Sequence, residues 1–217
     1  MTGVDPAPRT QDARRVATRT ALLDATIECL IVFGYQGTTT ARIAERAGVS
    51  RGAQIHHFHT KAGLVAEALH QLAERRAMQL VPHLERLPAG AGRVTAGLDL
   101  LWDAHTDPLF EAALELWVAA RTDEELRAQL APVERDITSR LRAAGRPVFD
   151  PDGEIADLDT WLDLALGTMR GLAMQRSLQP PDRRAPTARE WARWRERLAA
   201  LLRAPAFASH PRTRSIT

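Results

Sequence analysis

Residues 38–61 read TTTARIAERAGVSRGAQIHHFHTK, and the fold is decided there. Ile43, Ala44 and Ala47 recur at i, i+1 and i+4, the apolar stripe of a short helix over about Thr40 to Ala47. A threonine at 38, 39 or 40 can cap that helix, because a hydroxyl accepts from the unpaired N–H groups of a first turn. Gly48 has the backbone freedom to reverse the chain, and Val49 plugs the gap between two helices. Ser50 is a natural cap for a second helix, about Arg51 to Phe58. Two short helices joined by such a turn are the plan of a helix-turn-helix, whose second helix lies in the DNA major groove.

The flanks extend this pattern. A first helix is expected from about Ala13 to Phe33, with Leu23, Ile27, Leu30 and Ile31 at helical spacing and a stop at Gly34. A fourth begins near Lys61 and places Leu64, Val65, Ala68, Leu69 and Leu72 on one face. It can continue toward Leu87, with Pro82 as a kink or break. In order, the chain therefore carries LLDATIECLIVFGYQGTT, then IAERAGVS, then RGAQIHHF and TK, within residues 22–69. This succession resembles the DNA-binding domain of the TetR family of transcriptional regulators. It covers under a third of the chain, but segments of this wording in this order are specific.

Composition is that of an ordinary soluble globular protein. The 217 residues are 45% hydrophobic and 26% charged, enough for one or two domains with real cores. No uncharged run approaches the length of a membrane span, and the first fifteen residues, MTGVDPAPRTQDARR, lack the apolar core of a secretory signal. The lone Cys29 excludes an internal disulfide framework and reads as a small buried hydrophobe. Cytoplasmic location is the expectation. Net charge is only +2 but is unevenly placed: residues 1–61 hold eight Lys and Arg against five Asp and Glu, the remainder 21 against 22. The basic excess sits where DNA would be met.

The rest of the chain also has helical period, so the fold class is all-α. The loop LPAGAG (87–92) is followed by a stripe of Val94, Leu98, Leu101 and Trp102. A helix from about Pro108 to Arg121 carries Phe110, Leu114, Trp117 and Val118. Thr122 looks like the cap of the next, which ends at Gly145 before a loop, GRPVFDPDG (145–153). Two long helices follow, about 154–178, with Gly167 and Gly171 four apart, and about 187–203. The expected organisation is a disordered arm (1–12), a helix-turn-helix domain (13–60), a helical effector-binding and dimerisation domain (61–204) and a flexible tail (205–217). The resemblance implies that the last two long helices pair with those of a second copy in a four-helix bundle.

For DNA contacts, the resemblance and side-chain chemistry point to Thr40, Ser50, Arg51, Gly52, Gln54, His56, His57 and Lys61. Thr40 and Lys61 suit phosphate oxygens. Arg51 can grip guanine O6/N7 and Gln54 can pair with adenine. Gly52 and Ser50 let the backbone approach the groove, and the two histidines can donate to phosphates or base edges. Many relatives carry Tyr where this chain has Ile55 and His56, so Ile55 either packs or offers a methyl contact to thymine. Relatives often carry a basic residue at Ala41, whereas here Arg42 is next to it. Adjacent histidines diverge by about 100° on a helix, so the run His56-His57-Phe58-His59 is a poor metal site.

The resemblance further implies a small-molecule cavity in the C-terminal helices, with ligand binding linked to weaker DNA binding. Trp102, His105, Phe110, Leu114, Trp117 and Met169 are the candidate lining of a site for a small apolar or aromatic effector, and Arg121 is a second polar handle. The same aromatics at helical spacing also suit plain core. Asp157, Asp159 and Asp163 read as a solvated face. No phosphate loop, metal-ligand spacing or nucleophile elbow speaks for an enzyme, and no cofactor is expected. The expected function is a homodimeric repressor that binds a palindromic operator and is released by a ligand. The alternative is a DNA-binding protein that senses no small molecule or answers to a protein partner.

Overall fold

The computed structural model describes residues 11–180 and 185–204, leaving aside the side chains of 80, 81, 85, 91 and 185–188. Those residues form nine helices and no strand: α1 (Gln11–Gly37), α2 (Thr40–Arg46), α3 (Arg51–His57), α4 (Lys61–Glu85), α5 (Ala91–Ala104), α6 (Pro108–Ala119), α7 (Glu124–Phe149), α8 (Leu158–Ser177) and α9 (Ala185–Leu202). The all-α expectation holds. Of the expected disordered arm, residues 1–10 lie outside the described residues, while Gln11 and Asp12 already belong to α1. The expected tail (205–217) also lies outside them. No helix among the described residues is long and apolar enough to cross a membrane.

The chain divides into two compact units, Met1–Glu74 with Glu115–Val133, and Arg75–Leu114 with Glu134–Thr217. The division between these units falls inside α4, whereas the expected boundary follows residue 60. The reason is packing: Leu64 and Ala68 of α4 are buried in one core with Leu22, Leu23, Cys29 and Ile43.

In the first unit, the buried face of α1 is Leu22, Leu23, Ala25, Thr26, Cys29 and Leu30. This differs from the expected stripe: Ile31 is exposed, and Thr26 takes a core position because its hydroxyl donates to Leu22 O at 2.7 Å. The helix breaks at Gly34 (φ 63°, ψ −178°), a conformation that is essentially glycine-only. Thr38 closes the turn, donating to Gly34 O from its amide (3.1 Å) and from its hydroxyl (2.7 Å). Thr39 is the cap of α2, its Oγ1 accepting from Arg42 N at 3.2 Å, and Ser50 Oγ accepts from Ala53 N to cap α3. Gly48 turns the chain with φ 65°. Thr60 Oγ1 accepts from Gly63 N and opens α4, which runs on through Pro82 to Glu85.

The second unit is built around tryptophans. Trp161 of α8 is fully buried and donates from Nε1 to Leu198 O of α9 at 3.0 Å. Trp102 of α5 stacks on Trp191 of α9, centroids 4.7 Å apart and planes 7° apart, and Trp191 Nε1 donates to Asp99 at 2.9 Å. Buried indoles keep their N–H groups paired, as they must. Two boundaries differ from expectation. Residues 145–149 are the last turns of α7 and not loop, because Val148 and Phe149 bury against Leu98, Trp161 and Leu162 and hold the helix past Pro147. In the first unit the cap of α7 is Asp123 and not Thr122: Asp123 Oδ1 stands three residues before Leu126 and accepts from its amide at 2.9 Å. The acids expected as a solvated face are engaged as well. Asp157 caps α8, while Asp159 and Asp163 make exposed ion pairs with Arg146 and Arg142.

A Cβ on Gly34 would stand 2.2 Å from Glu115 Oε2, in backbone that L-residues avoid. Gly34→Ala should therefore cost about 1–3 kcal/mol of stability. Urea unfolding checks this; an unchanged midpoint would mean that the break relaxes freely.

Candidate functional site

The two short helices and the turn between them form the site, and what α3 shows outward follows from what it turns inward. Arg51, Gly52, Ile55 and His56 are exposed, whereas Gln54 is only 1% exposed. Gln54 Nε2 donates to Phe58 O at 2.8 Å, and Gln54 O accepts from Phe58 N at 2.8 Å, so one glutamine closes its own helix end. The expectation that Gln54 projects toward a base is corrected: its amide is spent inside the unit. Ser50 likewise serves as a cap. Thr40, the first residue of α2, is half-buried next to the capping Thr39.

The basic residues separate into tied and outward groups. Arg46 pairs with Glu28, and Arg19 pairs with Glu67 at 2.6 Å and lies over the Phe58 ring. Arg42 donates to Gly37 O and covers the Phe33 ring at 4.8 Å, which gives it a role in closing the end of α1. Arg51 has no hydrogen bond or ion pair among the described residues and points its charge to solvent. His57 is half-buried, edge-on to His56 with centroids 5.6 Å apart. Burial lowers its pKa below the usual 6.5, and His56, Arg15 and Arg19 lower it further.

Lys61, expected to suit a phosphate, is engaged within the first unit. Its Nζ donates to Tyr35 O at 2.9 Å and lies 3.7 Å from the Tyr35 ring centroid. Desolvation pushes its pKa down, partly opposed by Asp123. The ammonium is therefore held against the last turn of α1, after the break at Gly34. Tyr35 is itself buried; its amide donates to Glu115 Oε2 at 3.1 Å and its hydroxyl to Asp123 Oδ2 at 3.2 Å. Burial first, then the Asp123 charge, raise the phenol to about 12. This cluster is invisible in the sequence, since its partners lie 80 and 88 residues apart and no local pattern marks such a pair.

The residues expected to line a ligand cavity fall into both units, and each is described in its own. In the second unit, Trp102 and Met169 belong to the packed core, with Phe110 against it. His105 is buried, its Nδ1 bonded to Leu101 O at 2.7 Å and its ring 4.8 Å from Phe110. Leu114 is half-buried in that unit, whereas Trp117 falls in the first unit, as does Arg121. The second unit does hold a small, partly open apolar crevice of about 20 Å³, lined by Leu84, Gly97, Leu100, Leu141, Ala144 and Phe149, among others. Gly97 lets α7 pack closely there: a Cβ would meet Val148 Cγ1 at 2.5 Å and the Phe149 ring at 3.1 Å. The sequence conceals this lining, because aromatics stand out in it more than the small residues that make room.

The arrangement is shared with known proteins. Residues 22–68 match the family described as bacterial regulatory proteins, tetR family. An uncharacterised HTH-type transcriptional regulator of Mycobacterium tuberculosis is 31% identical over 175 residues, which is 79% of this chain and 89% of that protein. The HTH-type transcriptional repressor AcnR of Corynebacterium jeikeium is 28% identical over 174 residues, 78% of this chain and 88% of its own. Among solved structures, the regulator FadR of Bacillus subtilis in complex with stearoyl-CoA superposes with a TM-score of 0.58 at 15% identity. That superposition covers 84% of this chain and 96% of FadR, and at such identity it speaks for the fold alone.

Two measurements follow. Lys61→Met should lower the melting temperature while leaving the salt dependence of DNA binding unchanged; a slope reduced by about one would restore Lys61 as a phosphate contact. Burial, chiefly, lowers the pKa of His105 below the usual 6.5. As pH falls below the usual 6.5, the unfolded chain takes up this proton first, so stability declines from there downward. His105→Gln should flatten that decline in denaturant titrations between pH 7.5 and 5, and an unaltered decline would exclude His105 as its source.

Proposed function

The chain belongs to the TetR family of bacterial transcriptional regulators, and from that premise we propose a homodimeric, sequence-specific repressor released from a palindromic operator by a small apolar ligand. The observation that carries the reading is the outward face of α3, where Arg51, Gly52, Ile55 and His56 stand exposed on one short helix behind an internally closed turn. Such a helix fits the major groove, and Thr40 and His57 beside it suit the flanking phosphates. Repression is favoured by the name of the AcnR relative.

A palindromic site needs two copies related by a two-fold axis. Support for a second copy comes from α8, where Leu164, Gly167, Gly171 and Met174 are exposed at helical spacing, and from exposed Leu201 on α9. The two glycines let a partner helix come close, and the flanking apolar side chains gain about 25 cal/mol per Å² when covered. The ligand reading is supported by the crevice among Leu84, Leu100, Leu141 and Phe149. No polar side chain lines it, so an uncharged apolar molecule is the matching chemistry. In linkage terms, a ligand that favours a dimer with badly spaced reader helices must weaken DNA binding by the same factor by which DNA weakens ligand binding. The closed packing of Trp102 and Met169 favours a second reading, a regulator without small-molecule sensing or governed by a protein partner.

The first test is fluorescence anisotropy with DNA from immediately upstream of the protein's own gene against scrambled DNA, over a salt series. Selective binding that collapses in Arg51→Ala supports the repressor reading; equal, steeply salt-dependent binding to all DNAs leaves only phosphate attraction, and the reading fails. Met174→Glu combined with Leu164→Glu should convert the species seen by light scattering from dimer to monomer and abolish operator binding. Ala144→Trp, which fills the crevice, should leave operator binding intact and abolish release by apolar compounds. Undiminished release would move the ligand elsewhere.

A further inference from the structure

The seven residues of α3 invert the usual distribution of polarity. Its glutamine is buried and satisfied, while its isoleucine, Ile55, is 46% exposed at the centre of the outward face. Isolated exposed hydrophobics are ordinary on protein surfaces. Here, however, the core beneath the helix had an apolar side chain available one position away and holds Gln54 instead, bonded to Phe58 O. Ile55 is flanked by the exposed Arg51 one turn before it and by Gly52 and His56 at its sides. No hydrogen-bonding group on α3 replaces the amide that turned inward, apart from Arg51 and the histidines.

Resting on the reading of α3 as the helix that enters the groove, we infer that Ile55 is a specificity-determining residue that recognises the C5-methyl group of a thymine, next to a guanine held by Arg51. The chemistry allows few alternatives. Ile55 has neither donor nor acceptor, so it cannot distinguish the hydrogen-bonding edges of adenine, guanine or cytosine. In the major groove the thymine methyl is the apolar feature a base offers. Arg51 and Ile55 are i and i+4, hence neighbours on one face, separated by a rise of about 6 Å along the helix. With bases stacked about 3.4 Å apart, the guanine and the thymine lie within about two steps of each other. Gly52 has no side chain to hold the helix off the floor of the groove, so Ile55 reaches a methyl that projects only slightly. An exposed apolar side chain gains nothing from phosphates, which separates its effect from that of the charged residues around it.

The experiment begins with the full-length protein and selection from random duplex DNA, which identifies the operator directly. Each thymine of the enriched half-site is then replaced by deoxyuracil, which deletes the methyl and keeps the pairing edge, and binding is followed by anisotropy. For the wild-type protein, one position per half-site should lose roughly three- to fivefold in affinity, the effect of about one buried methyl. Ile55→Ala should bind the thymine operator more weakly and show no uracil penalty at that position. Uracil without effect at every position, or a penalty undiminished in Ile55→Ala, overturns the role of Ile55 while leaving α3 as the reader. An enriched half-site without thymine near its conserved guanine has the same meaning. If no sequence is enriched at all, the operator-reading function fails, and Ile55 with it. The uracil arm uses the wild-type protein, so the inference stays testable whatever the variants do to folding.

Discussion

Tyr35 is the point on which the first unit depends. It follows Gly34, whose positive φ ends the regular run of α1, and it is gripped in three ways: its amide by Glu115, its hydroxyl by Asp123, its carbonyl by Lys61. Neutral hydrogen bonds contribute about 0.5–1.5 kcal/mol each, and those to charged groups, as here, about 1.5–3. More important than the sum is the geometry. Buried donors and acceptors left without partners are expensive, so the glycine break, the start of α4 and the residue before α7 are required to meet at one place. The same Asp123 uses its other oxygen to cap α7, so one carboxylate ties a tyrosine to a helix start.

A helix as short as α3 needs support of the same kind. An isolated helix of seven residues has no stability of its own, since nucleation outweighs the few hydrogen bonds gained. Here α3 is held at both ends by its own chain, by Ser50 at the start and by Gln54 with Phe58 at the finish. Arg19 lies over Phe58 from outside. Because the internal bonds are met by Ser50 and Gln54, the remaining residues have no structural duty and are available to face a ligand. Arg51, Gly52, Ile55 and His56 are those residues.

Much of this is legible in the sequence, and what is not follows a physical pattern. The helices up to α4 are readable because apolar period, a capping hydroxyl and a turn glycine agree locally; Thr39, Ser50 and Gly48 do what their chemistry suggests. The family resemblance likewise rests on local wording. What cannot be read is whether a polar residue is turned in or out. Gln54 and Lys61 look like surface groups by composition, and only the carbonyls of Phe58 and Tyr35, fixed by tertiary structure, draw them inward. The expected ligand lining is a related case. Trp102, His105 and Met169 stand out for bulk, yet bulk fills space, and in the second unit Trp102 and Met169 are packed into the core. Gly145 and Pro147 suggest a loop over 145–149, and burial of Val148 and Phe149 overrides that local signal.

The central requirement is that α3 touches bases from the major groove, twice, on one face of the duplex. Methylation interference at guanine N7 tests it most directly, because the modification blocks the atom that Arg51 would grip. A reader of this kind gives interference at one guanine in each half-site, the two separated by about one helical turn or a multiple of it, with both signals lost in Arg51→Ala. Binding that ignores N7 methylation, or that Arg51→Ala leaves with the same interference pattern, would contradict it and place the base contacts on another part of the chain.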